Sequence, residues 1–357
     1  MKILHTSDFH LTEEGNSHFK ERWKGLRAVI KAGISSKVNL MVISGDLFDS
    51  NRAGDSLRTA IRSEFEKASF PIVIIPGNHD AESYSESVFF GENVTVINSL
   101  FKPVQLDGVS VWGFPYRELT AEKILLNLHR AAGMVNKNIP SILLLHGELL
   151  DISGVWENYG NEGVSRYFPV KLSYFKDLPW GYVLAGHFHT NFDIKRYRDN
   201  GYFVYSGSPV SITEKEVGVR KVNIFEIGKA PSAFPVESFY YEDLSIKLDP
   251  LEVKEPLKLV KEKLLKADPN AALLVKVEGY FNGRKYNINE KKLAGSITEL
   301  LKEKACRKKV FEFRDIGEIL EDETYREFVD RLNEISKDDE EKSEIENLML
   351  RAMMEAD

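Results

Sequence analysis

The 357-residue chain holds 48 Lys and Arg against 55 Asp and Glu, a net charge of −7, which argues against a general nucleic-acid binder but leaves room for a local basic groove. With 43% hydrophobic and 29% charged residues it has the make-up of a globular protein of one large domain and a smaller one, and no apolar run reaches bilayer length. The single cysteine, Cys306, excludes an intrachain disulfide framework and fits a reducing cytoplasm.

The chain is already in a strand at Lys2–Ser7, so no signal peptide and a cytoplasmic, non-membrane protein are expected. Phe19–Gly33 reads as a helix with Trp23, Leu26, Val29 and Ile30 on one face. Leu40–Ser44 is a second strand, Ser56–Lys67 a helix and Ile72–Pro76 a third strand. Short strands follow at Val94–Asn98, Val104–Leu106 and Val109–Trp112, the last two joined by a turn at Asp107-Gly108. Then come a helix at Ala121–Met134 and strands at Ser141–Leu145, Tyr182–Ala185, Asp193–Tyr197, Tyr202–Ser206 and Lys221–Ile227. This is a layered α/β domain over residues 1–228. Gly, Pro, Ser and Ala cluster as a linker near Gly228–Pro235. A small α/β domain over 236–315 follows, with helices at Pro256–Ala267 and Glu290–Lys304 and strands at Leu273–Glu278 and Val310–Phe313. Cys306 reads as an incidental helix residue, although its basic neighbours make a lowered thiol pKa conceivable. The segment 316–357 carries two short amphipathic helices, which either fold back on the body or dock on a partner.

Six strand ends carry residues of one chemical kind. They supply Asp8 and His10; Gly45 and Asp46; Gly77, Asn78, His79 and Asp80; His146 and Gly147; Gly186, His187 and His189; and Ser206, Gly207 and Ser208. Open α/β sheets place their chemistry at the carboxyl ends of strands. Imidazoles, carboxylates and an amide oxygen suit borderline divalent ions such as Mn²⁺, Fe²⁺ or Zn²⁺. Asp46 ends the buried run Leu40–Ser44 and is well placed to bridge two ions, which would clamp an in-line displacement at phosphorus. Taken singly, an Asp-x-His is usually a surface loop and a histidine after a strand is usually a core residue. Five of the eight histidines fall at these strand ends, a clustering that independent structural roles do not explain. His5, His18 and His129 read as structural.

Asp8-Phe9-His10, Gly45-Asp46-Leu47-Phe48-Asp49, Gly77-Asn78-His79-Asp80, His146-Gly147 and Gly186-His187-Phe188-His189 resemble, in this order, the motifs of the calcineurin-like metallophosphoesterases. More narrowly, Ile3–Asp8, the Gly-Asp-Leu-Phe-Asp turn and Tyr205-Ser206-Gly207-Ser208-Pro209 resemble the SbcD-type DNA repair nucleases, bacterial counterparts of the nuclease subunit of the Mre–Rad double-strand-break complex. The resemblance implies a layered β-sandwich with flanking helices, then a small capping domain with a possible DNA contact and C-terminal helices that bind a coiled-coil ATPase of the SbcC/Rad type. It implies one ion held by Asp8, His10, Asp46 and His189, and a second by Asp46, Asn78, His146 and His187, with Mn²⁺ the expected metal. His79 would stay off the ions and act as the catalytic residue, steadying the phosphate or protonating the leaving oxygen. Asp49, Arg52 and Ser208 are candidates for support of the ligands or for DNA contact. A homodimer is the family's usual assembly.

Departures exist: Phe9 stands where the family often has Trp, Thr12 where it often has Gly, and Ala53-Gly54 where Pro-Ser is usual. Asp49 stands where archaeal and eukaryotic relatives have a histidine, so a second catalytic imidazole is missing there.

The expected function is a Mn²⁺-dependent DNA repair nuclease, with Arg52, Arg58, Arg62, Lys195, Arg196, Arg198, Arg220 and Lys221 as local basic residues for DNA. The alternative is a stand-alone phosphoesterase for small substrates, such as a cyclic nucleotide phosphodiesterase or phosphatase. A fold kept as a binding module without chemistry is a third reading, which the full ligand set and His79 oppose.

Overall fold

Apolar runs such as Leu40–Ser44 and Ile72–Ile75 have no polar face, so they must be covered on both sides, and the chain meets that demand with two stacked sheets between helices. The computed structural model describes residues 1–85, 88–151, 168–190, 192–252, 254–335 and 338–356. Two units make up the chain, Met1–Tyr240 and Tyr241–Asp357.

The first unit runs β1 (Lys2–Thr6), α1 (Phe19–Ser35), β2 (Leu40–Ser44), α2 (Asn51–Phe65), β3 (Ile72–Ile75), β4 (Val94–Val96), β5 (Val104–Leu106), β6 (Val109–Phe114), α3 (Ala121–Ala132), β7 (Ser141–His146), β8 (Tyr182–Gly186), β9 (Asp193–Arg198), β10 (Gly201–Tyr205), β11 (Lys221–Glu226) and β12 (Ala233–Pro235). One sheet has the order β12-β11-β1-β2-β3-β4, with β1 to β4 parallel; the other has β5-β6-β7-β8-β10-β9, with β6, β7, β8 and β10 parallel. Between the sheets lie Ile3, Val42, Val73 and Ile75 from one and Val111, Ile142, Leu184 and Val204 from the other. The outer face of the first sheet, with Leu4, Met41 and Ile43, packs on Trp23, Leu26 and Ile30 of α1 and on Ile61 and Phe65 of α2. Leu143, Leu145 and Phe203 pack on Ile124 and Leu128 of α3. This helix–sheet–sheet–helix order is the layered architecture expected.

Helix α2 starts five residues earlier than the sequence reading. Ser50 caps it, its side chain accepting from the Ala53 amide at 3.2 Å, an interaction worth about 1 kcal/mol. Gly54 and Asp55 hid that first turn. Gly54 is needed because a Cβ there would lie 2.1 Å from Ser83 Oγ. Part of the expected linker is instead β12, paired antiparallel with β11.

The second unit runs β13 (Tyr241–Leu248), α4 (Pro256–Lys266), β14 (Ala272–Phe281), α5 (Gly283–Tyr286), α6 (Glu290–Lys302), β15 (Cys306–Asp315), α7 (Gly317–Glu321), α8 (Glu323–Ile335) and α9 (Asp339–Ala356). Its three strands are parallel in the order β13-β14-β15. Strand β13 escaped the sequence reading because Glu242, Asp243, Ser245 and Lys247 dilute its apolar residues. Cys306 opens β15 rather than lying in a helix, and burial pushes its thiol up, not down. The terminal helices gather around Ile316, Tyr325 and Leu350, with Tyr280 of β14 donating to the Met354 carbonyl at 3.1 Å. Ile335 and Leu348 stay exposed. Among the described residues no helix is long and apolar enough to cross a membrane.

His5 lies on β1 with the alternation that points Ile3 between the sheets, and it is fully buried. Burial, opposed by a weaker backbone hydrogen bond at Ala185, lowers its pKa from 6.5 to about 3. The unfolded chain therefore takes up this proton first as the pH falls. The contribution of a neutral His5 is whole above about pH 6.5 and shrinks toward about pH 3, by up to about 1.4 kcal/mol per pH unit. In His5→Leu the fall in melting temperature between about pH 6.5 and about pH 4.5 should be shallower than in the parent; parallel profiles would contradict burial of the neutral ring.

Candidate metal centre

The loops after β1, β2, β3, β7 and β8 meet at one place, and several of their residues adopt backbone that a side chain disfavours. Asp8, His10, Asp46 and His187 have φ of 56°, 45°, 51° and 106°. Such conformations cost on the order of 1–3 kcal/mol each and persist only where surroundings enforce them. Bonds between the loops do so here. The Asp8 and His10 amides donate to the carbonyls of Gly45 and Asp46 at 3.1 and 3.0 Å. The His187 amide donates to Asp8 Oδ1, and the His79 amide to Asp46 Oδ1, both at 3.0 Å. Gly77 permits the approach of β3 to β2: a Cβ on it would lie 2.1 Å from Asp46 Oδ1.

The side chains so placed form three donor groups: Asp8, His10 and His189; His10, Asp46 and His79; Asp8, Asp46 and His146. Within each, the donor atoms lie within 4.8 Å of one another. His10 Nε2 and His189 Nε2 are 3.1 Å apart. His10 Nε2 is 3.6 Å and His146 Nε2 3.3 Å from Asp46 Oδ2, so Asp46 stands between the two ends of the cluster. Asn78 Oδ1 is 2.8 Å from His146 Nε2, and the His187 ring lies against His146 with centroids 5.4 Å apart. Asp8, His10, Asp46, His146, His187 and His189 are buried, while Asn78 and His79 are only half-buried. His79, expected apart from the ions, has a ring nitrogen inside the second donor group; its Nδ1 also lies 3.2 Å from the Asp49 carbonyl.

The donor chemistry fits cations. His146 Nδ1 is 2.8 Å from the Ser44 carbonyl, which only accepts, so Nδ1 carries the hydrogen. Nε2 then presents a lone pair to the Asn78 oxygen and the Asp46 carboxylate, two further acceptors. Three electron-rich atoms in a buried space require a positive charge among them. In the metal-free protein a proton answers that requirement. Burial opposes charge on His146, but Asp46, by its charge and hydrogen bond, overrides it and raises the imidazole pKa. Burial likewise pushes the Asp46 carboxyl up, and His146, with His10 and His79 behind it, holds it far below the usual carboxylate range. What attracts a proton so strongly also attracts a divalent ion.

Residues 1–191 match the family model described as calcineurin-like phosphoesterase. The chain belongs to this family. A candidate metal centre lies at the strand ends within the matched residues. A curated relative, the DNA double-strand break repair protein Mre11 of Methanosarcina acetivorans, is 24% identical over 239 residues, 64% of this chain and 37% of the relative. The protein of the same name from Methanosarcina mazei is 30% identical over 120 residues, 32% of this chain and 19% of the relative. The chain thus spans well under half the length of the curated relatives it matches. Similar solved structures include TT1561 of Thermus thermophilus (TM-score 0.44, 14% identity, 66% of this chain and 98% of that one). A dimetal phosphatase from Danio rerio is another (TM-score 0.43, 12% identity, 63% and 91%).

In this member of the family a shell of polar residues holds the donors; Asp80, Asp49 and Ser208 stand out in the sequence, whereas Tyr84, Arg22 and Glu216 do not. Asp80 accepts from the Gly77 and Phe48 amides at 2.8 and 3.1 Å and from Tyr84 Oη at 2.6 Å, tying the loop after β3 to that after β2. Burial, then the charge of Asp46, pushes Asp80 up to about 6. Asp49 lies 3.4 Å from His10 Nδ1 and 2.8 Å from Arg22 Nη1. Glu216, fully buried, lies 3.4 Å from His189 Nδ1. Ser208 is fully buried, its amide donating to the His189 carbonyl at 2.9 Å.

Of the basic residues expected to serve DNA, Arg220 is no surface charge. It is buried and donates to the carbonyls of Ser208, Thr190 and His189. Arg58, Arg62, Lys195 and Arg196 pair with Asp55, Glu66, Asp193 and Asp199, which cancels much of the local basic field. Arg198 donates to the Trp180 carbonyl. Arg52 is exposed and 3.7 Å from Glu13, and Lys221 is exposed.

Gly77→Ala places a methyl group against the Asp46 carboxylate and amide. We expect it to weaken Mn²⁺ uptake by about tenfold or more while the fold persists, as calorimetry with circular dichroism would show; unchanged uptake would mean that Asp46 is not fixed by this contact.

Proposed function

We propose that the chain is a Mn²⁺-dependent DNA repair nuclease that hydrolyses phosphodiester bonds, cutting from ends and internally, as the nuclease subunit of a complex with a Rad-type coiled-coil ATPase. The observation that carries this reading is the convergence of Asp8, His10, Asp46, Asn78, His146, His187 and His189 on one buried cluster with His79 at its solvent side. The names of the two curated relatives, each a DNA double-strand break repair protein, support DNA as the substrate class.

Asp8, His10, Asp46 and His189 would hold one divalent ion, and Asp46, Asn78, His146 and His187 the other. When bound, such a pair supplies Lewis acidity and an acidified water for in-line displacement at phosphorus. The chain's own residues do the rest. Asp46 fixes the spacing of the two ends through the His79 and Gly77 contacts. His79, whose Nδ1 lies 3.2 Å from the Asp49 carbonyl, would meet the phosphate from the solvent side and hold or deliver the proton that the leaving oxygen takes up. Linear DNA with Mn²⁺ is the test substrate. His79→Ser should abolish cleavage while two ions still bind; cleavage of p-nitrophenyl esters but not DNA by the parent chain would favour a small-substrate phosphoesterase instead.

The ATPase dock falls to α8 and α9, whose buried residues are few and whose Ile335 and Leu348 face solvent. Ile335→Asp with Leu348→Asp should leave DNA cleavage intact and abolish co-purification with the Rad-type ATPase of the same source. Undiminished co-purification would remove the helices from that role.

A further inference from the structure

We infer that Glu216 and Asp49 are positioning residues that make the end of the centre built from Asp8, His10 and His189 its tighter cation site, filled before the end at His146 and Asn78. The inference rests on the two-cation reading proposed above.

The two imidazoles that face each other through Nε2 at 3.1 Å are held from behind in the same way, although they come from loops 179 residues apart. Behind His10, Nδ1 lies 3.4 Å from Asp49 Oδ1. That carboxylate is held by Arg22 Nη1 at 2.8 Å, and Arg22 also donates to the His10 carbonyl. Behind His189, Nδ1 lies 3.4 Å from Glu216 Oε1. Arg220 donates to the carbonyls of His189, Thr190 and Ser208, and its charge acts on Glu216. Each arm therefore has a histidine, a carboxylate at its rear nitrogen, and a buried arginine that grips the histidine's own main chain.

At the other end His146 is backed differently. His146 Nδ1 meets the Ser44 carbonyl at 2.8 Å, a neutral acceptor. A carboxylate behind an imidazole raises its strength as a donor and fixes which nitrogen carries the hydrogen; a carbonyl fixes the hydrogen but adds no charge. Two carboxylate-backed imidazoles together with Asp8 thus make the stronger donor set.

The two arms are also unequal. The Glu216 side chain is 0% exposed and is further held by the Ile212 amide at 2.8 Å, whereas the Asp49 side chain is 42% exposed. Solvent screens the second more than the first.

The test titrates the full chain with Mn²⁺ alone, reading uptake by calorimetry and the paramagnetic resonance of the metal. The parent chain should take up two ions in two steps, with a spin-coupled signal appearing only during the second. Glu216→Gln keeps an acceptor oxygen and removes the charge; it should weaken the first step by about tenfold or more and leave the second within about twofold. Asp49→Asn should act in the same direction and by less. The melting temperature of the metal-free variants should match the parent. A parent chain that fills both sites with one affinity overturns the inference, as do variants that keep the first step intact, or that weaken both steps together with a lowered metal-free melting temperature. A parent chain that takes up no Mn²⁺ overturns the functional reading and this inference with it; two-step uptake unaffected by either substitution overturns this inference alone.

Discussion

Lone pairs crowded into a largely buried space repel one another unless a positive charge stands among them, and the centre of this protein is built on that constraint. The imidazole of His146, the amide oxygen of Asn78 and the carboxylate of Asp46 crowd together at 2.8 and 3.3 Å, and a second imidazole pair meets nitrogen to nitrogen at 3.1 Å. Nothing in the hydrophobic core asks for this. It is stabilised indirectly, by two sheets whose parallel strands end in the same place and by amides and glycines that clamp the strand-end loops in left-handed backbone. The strain at Asp8, His10, Asp46 and His187 is tolerated because the sandwich beneath buries Val42, Val73, Ile142 and Leu184 completely or nearly so.

That division between core and centre explains what could be read in the sequence. Strands such as Leu40–Ser44 and Ile72–Ile75 announce themselves because burial on both faces leaves them wholly apolar. The donors announce themselves because each follows such a run, and a histidine or carboxylate at a strand end stands out against it. Glu216 and Arg220 have no such setting. They lie in an irregular segment among exposed charges, Glu214 and Lys215, and only the folded chain shows that they turn inward. Arg220 reads as a surface charge for the same reason: sequence shows a residue's type, and burial of an arginine depends on carbonyls supplied from 12 to 31 residues away. Strand β13 and the first turn of α2 are obscured differently, by acidic and small residues that weaken the local pattern while tertiary pairing and a serine cap make up the difference.

The charge of the centre bears on how an acidic chain would meet a polyanion. Many of the exposed basic residues of the first unit are matched by acidic neighbours, so the surface offers a phosphate backbone little net attraction. Two further arginines, Arg22 and Arg220, are turned inward, where they offset Asp49 and Glu216 rather than substrate. Without cations the carboxylates of Asp8 and Asp46 leave the centre with negative charge that the proton on His146 only partly offsets, so it does not attract phosphate. Under the proposed function two divalent ions reverse that sign, because their combined charge exceeds that of the two carboxylates. Recognition of the phosphodiester and its hydrolysis then depend on the same event, the filling of the donor cluster.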